Sequence, residues 1–265
     1  MQDLKISIIQ SELYWENPEA NLAMFEEKIW QIDEDTDLII LPEMFSTGFS
    51  MDSERLAEPM NFKSFKWMKQ MAAQTKVAIT GSLIIKENGH YYNRLIWMTP
   101  DGEFKSYDKR HLFRMADEHN HYSQGSDRLI IDYKGWKICP QICYDLRFPV
   151  WSRNGWNREN NQLNFDLLIF VANWPAPRVS AWDTLLQARA IENLSFAVGV
   201  NRIGEDGLGV AYCGHSAVID FKGNELFQAK DQSIIKTLAL SSKDLTEFRH
   251  KFPAYMDADN FQIES

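Results

Sequence analysis

The stretch Lys137-Ile138-Cys139-Pro140-Gln141-Ile142-Cys143-Tyr144-Asp145-Leu146-Arg147-Phe148-Pro149 decides how the chain is read. A short apolar run begins after the Lys134-Gly135 turn and ends at Cys143, where polar residues crowd in. A strand that stops at a reactive side chain presents it at a rigid exit, where another molecule can approach. Cysteine suits that place because its thiolate is strongly nucleophilic and needs only a neighbouring base or cation to form. A free cysteine is, however, more often a small buried apolar residue. The choice between these readings rests on the rest of the chain.

Downstream of this stretch, Phe148 to Arg153 reads as a short helical turn, and Asn154 to Gln162 as a turn-rich connector suited to an insertion. Asp166 to Ala172 repeats the buried-strand pattern and ends in Asn173-Trp174-Pro175. A helix over Val179 to Asn193 follows, then a strand over Phe196 to Val200 ending in Asn201-Arg202. Ser216 to Asp220, Glu225 to Ala229 and Ser233 to Leu240 read as further strands. Ser241 or Ser242 caps a last helix that reaches Phe252.

Upstream, Leu4 to Gln10 alternates as a strand does, and Asn17-Pro18 is a helix start, with Asn capping and Pro at the first helical position. Leu22, Phe25, Ile29 and Ile32 share one face of that helix. Asp37 to Pro42 is continuously apolar, as in a strand covered on both faces, and stops at Glu43. Phe45 to Pro59 shows little periodicity. A second helix is expected from Asn61 to Gln74, then a hairpin of Val77 to Lys86 and Tyr91 to Met98 about Asn88-Gly89. A short strand from Glu103 to Tyr107 leads into a polar loop, Asp108 to Gly125, whose length points to function.

A chain of 265 residues with 45% hydrophobic residues can bury a sizeable core, and no composition break or repeat divides it. The expectation is one α/β domain over residues 1–252, with two sheets and helices outside each. The polar tail, 253–265, frays unless it docks on a partner subunit. A net charge of −9 with no basic patch argues against nucleic acid or an anionic membrane as a partner. The N-terminus has no signal-peptide core and no apolar run reaches spanning length, so the cytoplasm is the expected compartment. Three cysteines make no disulfide framework, and the sequon Asn193-Leu194-Ser195 is read as incidental. Cys139 and Cys143 lie about 13 Å apart on a strand, too far for a disulfide or a shared ion.

Glu43, Lys109 and Cys143 each lie just beyond a strand-like run, and strand ends gather at one edge of an open α/β sheet. If they converge, the glutamate can take the thiol proton and later activate water, while the ammonium and a backbone N–H hold an oxyanion. Taken singly, each has a plainer reading: a solvated strand end, ordinary loop charge, a buried thiol.

Leu41-Pro42-Glu43-Met44-Phe45, Tyr107-Asp108-Lys109-Arg110-His111-Leu112-Phe113 and Ile142-Cys143-Tyr144-Asp145-Leu146-Arg147-Phe148-Pro149 resemble, in order and spacing, the three signature motifs of the nitrilase (carbon–nitrogen hydrolase) superfamily. The resemblance spans nearly the whole chain. It implies a four-layer α-β-β-α sandwich, a homodimer, and hydrolysis of a C–N bond without metal or other cofactor. It also implies that Glu43 is the general base, Lys109 the oxyanion-stabilising cation, Cys143 the nucleophile and Glu118 a second active-site glutamate. The segments Arg114 to His119, Ala172 to Arg178 and Ala188 to Asn193 look most like bacterial omega-amidases, which release ammonia from the terminal amide of 2-oxoglutaramate or 2-oxosuccinamate.

A 2-oxo acid amide brings a carboxylate that an apolar pocket would reject, and a guanidinium offers two matched donors. Arg147 is the first candidate and Arg178 the second, with Tyr144, Asn173 and Trp174 as further substrate-binding candidates. The alternative for Arg147 is an internal pair with Asp145 that holds the nucleophile turn. Rival readings are another carbon–nitrogen hydrolase (aliphatic amidase, nitrilase or carbamoylase), a metal hydrolase using His111, His119, His121, Asp117 and Glu118, and a non-catalytic binding protein on the same fold.

Overall fold

The computed structural model describes residues 2–157, 162–259 and 261–263. The first half of the chain forms β1 (Leu4–Gln10), α1 (Pro18–Trp30), β2 (Leu38–Ile40), α2 (Lys63–Thr75), β3 (Ala78–Glu87), β4 (His90–Met98) and β5 (Phe104–Asp108). The second half forms β6 (Ile131–Tyr133), β7 (Trp136–Ile142), β8 (Leu167–Val171), α3 (Val179–Asn193), β9 (Phe196–Val200), β10 (Ala217–Ile219), β11 (Glu225–Gln228), β12 (Ile234–Leu240) and α4 (Ser242–Lys251). One sheet runs β12-β1-β2-β3-β4-β5, with Glu58–Pro59 beside β3. The other runs β11-β10-β9-β8-β7-β6.

The sheets lie face to face with helices outside each, a four-layer α-β-β-α sandwich. Period two sorts the side chains. Leu4, Ile6 and Ile8 of β1 and Leu38 and Ile40 of β2 join the core shared with β7, β8 and β9. Ile9 and Ile39 turn outward, where they meet Leu22, Phe25 and Ile29 of α1 and Phe65, Met68 and Met71 of α2. Contacts between the sheets include the edge-on Trp97–Tyr133 ring pair and the hydrogen bond from Tyr133 Oη to Asp37 O at 3.0 Å. On the outer face of the second sheet, α3 lies so close that a Cβ on Gly199 would stand 2.5 Å from both Leu186 and Trp182. Glycine is therefore a packing requirement of β9.

Several local expectations hold in detail. Asn17 caps α1, its Oδ1 accepting from Ala20 N at 3.2 Å, with Pro18 at the first helical position. Ser241 caps α4 by accepting from Asp244 N. Three segments differ. The turn over Phe148 to Arg153 forms, with Trp151 N and Ser152 N both donating to Phe148 O, but an unexpected 3-10 turn over Cys143–Arg147 precedes it, where Asp145 and α3 brace the chain. The aperiodic segment Phe45 to Pro59 contains a short helix, Ser53–Leu56, and the two-residue strand beside β3. A small hairpin, Ile203–Glu205 with Ala211–Cys213, escaped the sequence reading because its strands are too short for a pattern. In the expected insertion connector, residues 158–161 lie outside the described residues, and the flanking pairs Trp156–Asn157 and Gln162–Leu163 associate antiparallel. In the tail, Tyr255 packs edge-on against Trp156 of the same chain. No helix among the described residues is long and apolar enough to cross a membrane.

Candidate active site

Glu43, Lys109 and Cys143 do converge, at the ends of β2, β5 and β7. Lys109 Nζ donates to Glu43 Oε1 at 2.8 Å and to Glu118 Oε1 at 2.9 Å, and all three side chains are buried. Burial disfavours the charged lysine, but the Glu118 and Glu43 carboxylates outweigh it and hold the ammonium proton firmly, well above the ordinary lysine range. The Glu118 carboxyl is pushed up by burial, against the pull of Lys109. Its Oε2 accepts from Phe113 N at 2.6 Å, which turns it inward from the one-turn helix Glu118–His121.

Cys143 is 8% exposed, and its thiol is held well above the usual range by burial first and then by the Glu43 charge. Lys109 pulls the other way without prevailing. The resting group is thus a thiol beside a carboxylate rather than a standing thiolate. Its backbone has φ +42°, and Met44, next to Glu43, has the same value. Both are left-handed conformations that a side chain disfavours, and such strain persists only where surroundings over-determine it.

The surroundings are specific. Asp145, fully buried, accepts from Ile142 N (3.0 Å) and Tyr107 Oη (2.7 Å) at Oδ2, and from His111 N (2.9 Å) at Oδ1. His111 Nδ1 lies 2.8 Å from the same Oδ1, and since a carboxylate only accepts, that nitrogen carries the proton. Tyr107 and His111 bracket Lys109 in sequence, so one carboxylate ties the cysteine turn to the lysine segment. Arg189 of α3 braces the same turn through Nη2 to Leu146 O at 2.6 Å. On the other side, Met44 N donates to Ser82 Oγ at 2.8 Å. Gly125 closes the loop back onto Lys109 O at 2.9 Å, where a Cβ would lie 2.2 Å from Asp108 O.

Two asparagines complete the network. Asn93 of β4 donates through Nδ2 to Glu43 Oε1 at 2.8 Å. Asn173, just after β8, donates its backbone N–H to Glu43 Oε2 at 2.7 Å and its Nδ2 to Glu43 O at 2.6 Å. Asn93 was missed in the sequence because nothing in a hairpin strand marks one inward amide from another.

Above this network opens a cleft of about 320 Å³, with Cys143, Lys109 and Asn173 among its lining residues and Phe49, Phe113, Tyr144, Trp174 and Tyr212 among its aromatic ones. Arg147 and Arg178 also line it. The Arg147 guanidinium lies 4.9 Å over Trp174, and that of Arg178 lies 5.3 Å over Phe113. Among the described residues neither forms an ion pair: the alternative pairing of Arg147 with Asp145 is not made, since Asp145 is committed to Ile142, Tyr107 and His111. The unforeseen hairpin supplies one wall through Asp206, Leu208, Val210 and Tyr212. The histidines weighed as metal ligands do not converge. His111 stacks on Phe148 at 3.7 Å, and among the described residues no three His, Cys, Asp or Glu side chains are placed to hold one ion.

A thiol, a carboxylate and a buried ammonium at the floor of one cleft are suited to acyl transfer through sulfur. This chain belongs to the carbon–nitrogen hydrolase family, whose model matches residues 5–250. An omega-amidase of Escherichia coli strain K12, YafV, is 44% identical over 265 residues, covering 99% of this chain and 100% of that protein. A 2-oxoglutaramate amidase of Bacillus subtilis strain 168 is 31% identical over 255 residues, 95% of this chain and 96% of the relative. A solved CN-hydrolase superfamily protein of Xanthomonas campestris, with an arsenic adduct in its active site, is 46% identical with a TM-score of 0.97, and each chain covers 100% of the other.

Proposed function

We propose that this protein hydrolyses the terminal amide of small 2-oxo acid amides, 2-oxoglutaramate or 2-oxosuccinamate, to the 2-oxo dicarboxylic acid and ammonia. Two full-length relatives bear the names omega-amidase and 2-oxoglutaramate amidase, and that supports the reading. The observation that carries it is the pair of guanidinium groups, Arg147 and Arg178, lining a cleft rich in aromatic side chains with no ion-pair partner among the described residues; Asp206, which also lines the cleft, is held by Leu208 N, Val210 N and Tyr212 Oη. A small neutral amide needs neither; a substrate carboxylate satisfies both.

In this reading Cys143 Sγ attacks the amide carbon as its proton passes to Glu43. Because burial and the neighbouring carboxylate keep the thiol protonated, transfer accompanies attack. The Lys109 ammonium and a backbone N–H beside the nucleophile hold the oxyanion. The C–N bond breaks as nitrogen takes the proton from Glu43 and leaves as ammonia. Water, deprotonated by the same carboxylate, then cleaves the thioester. Glu118 keeps Lys109 charged and aimed. The working form is taken to be a cytoplasmic homodimer. The exposed apolar side chains of Ile191 on α3 and Phe252 after α4 support the dimer, and sedimentation tests it.

The decisive experiment measures ammonia release from 2-oxoglutaramate, glutamine, aliphatic amides, nitriles and carbamoylated amines. Fastest turnover is expected on 2-oxoglutaramate. A preference for neutral amides or nitriles overturns the substrate assignment.

A further inference from the structure

Asn173 carries an atom that the network leaves over. Its backbone N–H and its Nδ2 both serve Glu43, at 2.7 and 2.6 Å, which fixes the orientation of the amide: Nδ2 must face the Glu43 carbonyl. The remaining atom, Oδ1, is therefore an acceptor by necessity. It is buried and has no donor among the described residues, on a residue that is 4% exposed and lines the cleft beside Cys143 and Lys109. A buried carbonyl left without a donor is destabilising, so such atoms are kept where something else satisfies them. Asn93 also has a free Oδ1, but Asn93 does not line the cleft.

Resting on the amidase reading above, we infer that Asn173 Oδ1 accepts a hydrogen bond from the scissile –NH2 of the substrate, so that Asn173 is a catalytic residue that orients the leaving nitrogen. The chemistry calls for such a group. As the C–N bond breaks, the nitrogen lone pair must point at the proton that Glu43 has taken from the thiol. Its two hydrogens must then point elsewhere, into a site that excludes much of the water that would otherwise accept from them. Glu43 Oε1 already takes Lys109 Nζ and Asn93 Nδ2, whereas Oε2 takes the Asn173 N–H. Oε2 is thus the oxygen freer to carry the proton, and it is the one bonded to Asn173. An acceptor on the adjoining residue turns the nitrogen so that S–C bond formation, C–N cleavage and delivery of the thiol proton to nitrogen form one balanced sequence. No co-reactant is needed.

The same placement yields a prediction about leaving groups. An ester with the same acyl part has a leaving oxygen that bears no hydrogen, so Oδ1 has nothing to accept from it. The test compares kcat/KM, which reports acylation, for 2-oxoglutaramate and for the methyl ester of 2-oxoglutarate at the same terminal carboxyl group, in wild type and Asn173→Ala. Loss of the Nδ2 anchor on Glu43 slows both substrates alike, because both need Glu43. Loss of Oδ1 slows the amide alone, and the amide-to-ester ratio is expected to fall about tenfold or more. A ratio unchanged from wild type overturns the inference and leaves Asn173 as a positioning residue only. Because the ratio is taken on one preparation, it does not depend on the folded fraction; if the alanine variant yields no protein, Asn173→Ser is read in the same way. A wild type inactive on 2-oxoglutaramate but active on another primary amide defeats the substrate assignment instead, and the amide–ester pair built on that acyl group then decides the role of Asn173.

Discussion

The two sheets share one plan and divide the chemistry between them. In the first, β1, β2 and β3 run parallel, flanked by antiparallel β12 on one side and the β4–β5 hairpin on the other. In the second, β7, β8 and β9 run parallel, flanked by antiparallel β6 and by β10 and β11. Corresponding strands end at the same place and carry unlike groups. The central strand β2 leads to Glu43, and its counterpart β8 leads to Asn173, which binds Glu43 at two points. Lys109 and Cys143 come from strands that do not correspond, Lys109 from β5 at the outer edge of the first sheet and Cys143 from β7 in the parallel core of the second. The first sheet supplies the Glu43 carboxylate, the Lys109 ammonium and the Asn93 amide, and the second supplies the thiol and the Asn173 donors. Duplicated topology without duplicated side chains is how one edge acquires a carboxylate, an ammonium and a thiol that no single sheet end would hold together.

This division can be tested from both sides. The largest effect belongs to the second sheet: Cys143→Ala should lower turnover about 10⁴-fold or more while the melting temperature stays near wild type. Stoichiometric labelling of wild type by iodoacetamide should map to this residue. Appreciable activity in the alanine variant would remove the thiol from the mechanism.

On the charged side, Lys109→Met should cost at least about 10²–10³ in kcat, since an oxyanion donor and its full charge both go. Glu43→Gln should damage turnover comparably, yet it should act on the thiol in the opposite sense. The Glu43 charge is among the causes that hold the Cys143 proton, so its removal should make thiolate absorbance appear at lower pH than in wild type. A thiolate titration unmoved by Glu43→Gln would mean that the two sheets do not communicate through this pair.

Next in size comes substrate recognition. Arg147→Lys should raise KM for 2-oxoglutaramate far more than for a neutral amide of similar length, by an amount corresponding to about 2–5 kcal/mol if the carboxylate is buried in the complex. Equal losses on both substrates would make Arg147 a structural residue.

The smallest effects compare packing at two glycines on corresponding strands. Gly199→Ala on β9 would drive a methyl within 2.5 Å of Leu186 and Trp182, and should cost about 1–3 kcal/mol in a denaturation experiment. Gly81→Ala on β3, where the nearest atoms of Phe45 and Leu41 lie at 2.9 and 3.0 Å, should cost less. The reverse order would show that the outer helix of the second sheet yields more readily than the loop after β2.

What the sequence by itself determined is whatever depends on near neighbours. Period two and period 3.6 placed the main strands and helices, caps such as Asn17 and Ser241 marked helix starts, and three short motifs brought Glu43, Lys109 and Cys143 into view as one set, with Glu118 added by the resemblance alone. Only the tertiary structure decided what depends on residues far apart in the chain. Asn93 reaches Glu43 across fifty positions. Asp145 turns away from Arg147 toward Tyr107 and His111, and so leaves that guanidinium to the cleft. A hairpin too short to show periodicity walls the site with Tyr212 and Leu208. A hydrogen bond between buried groups is set by the meeting of two sheets, and no local pattern of residues encodes which donor an inward carboxylate will find.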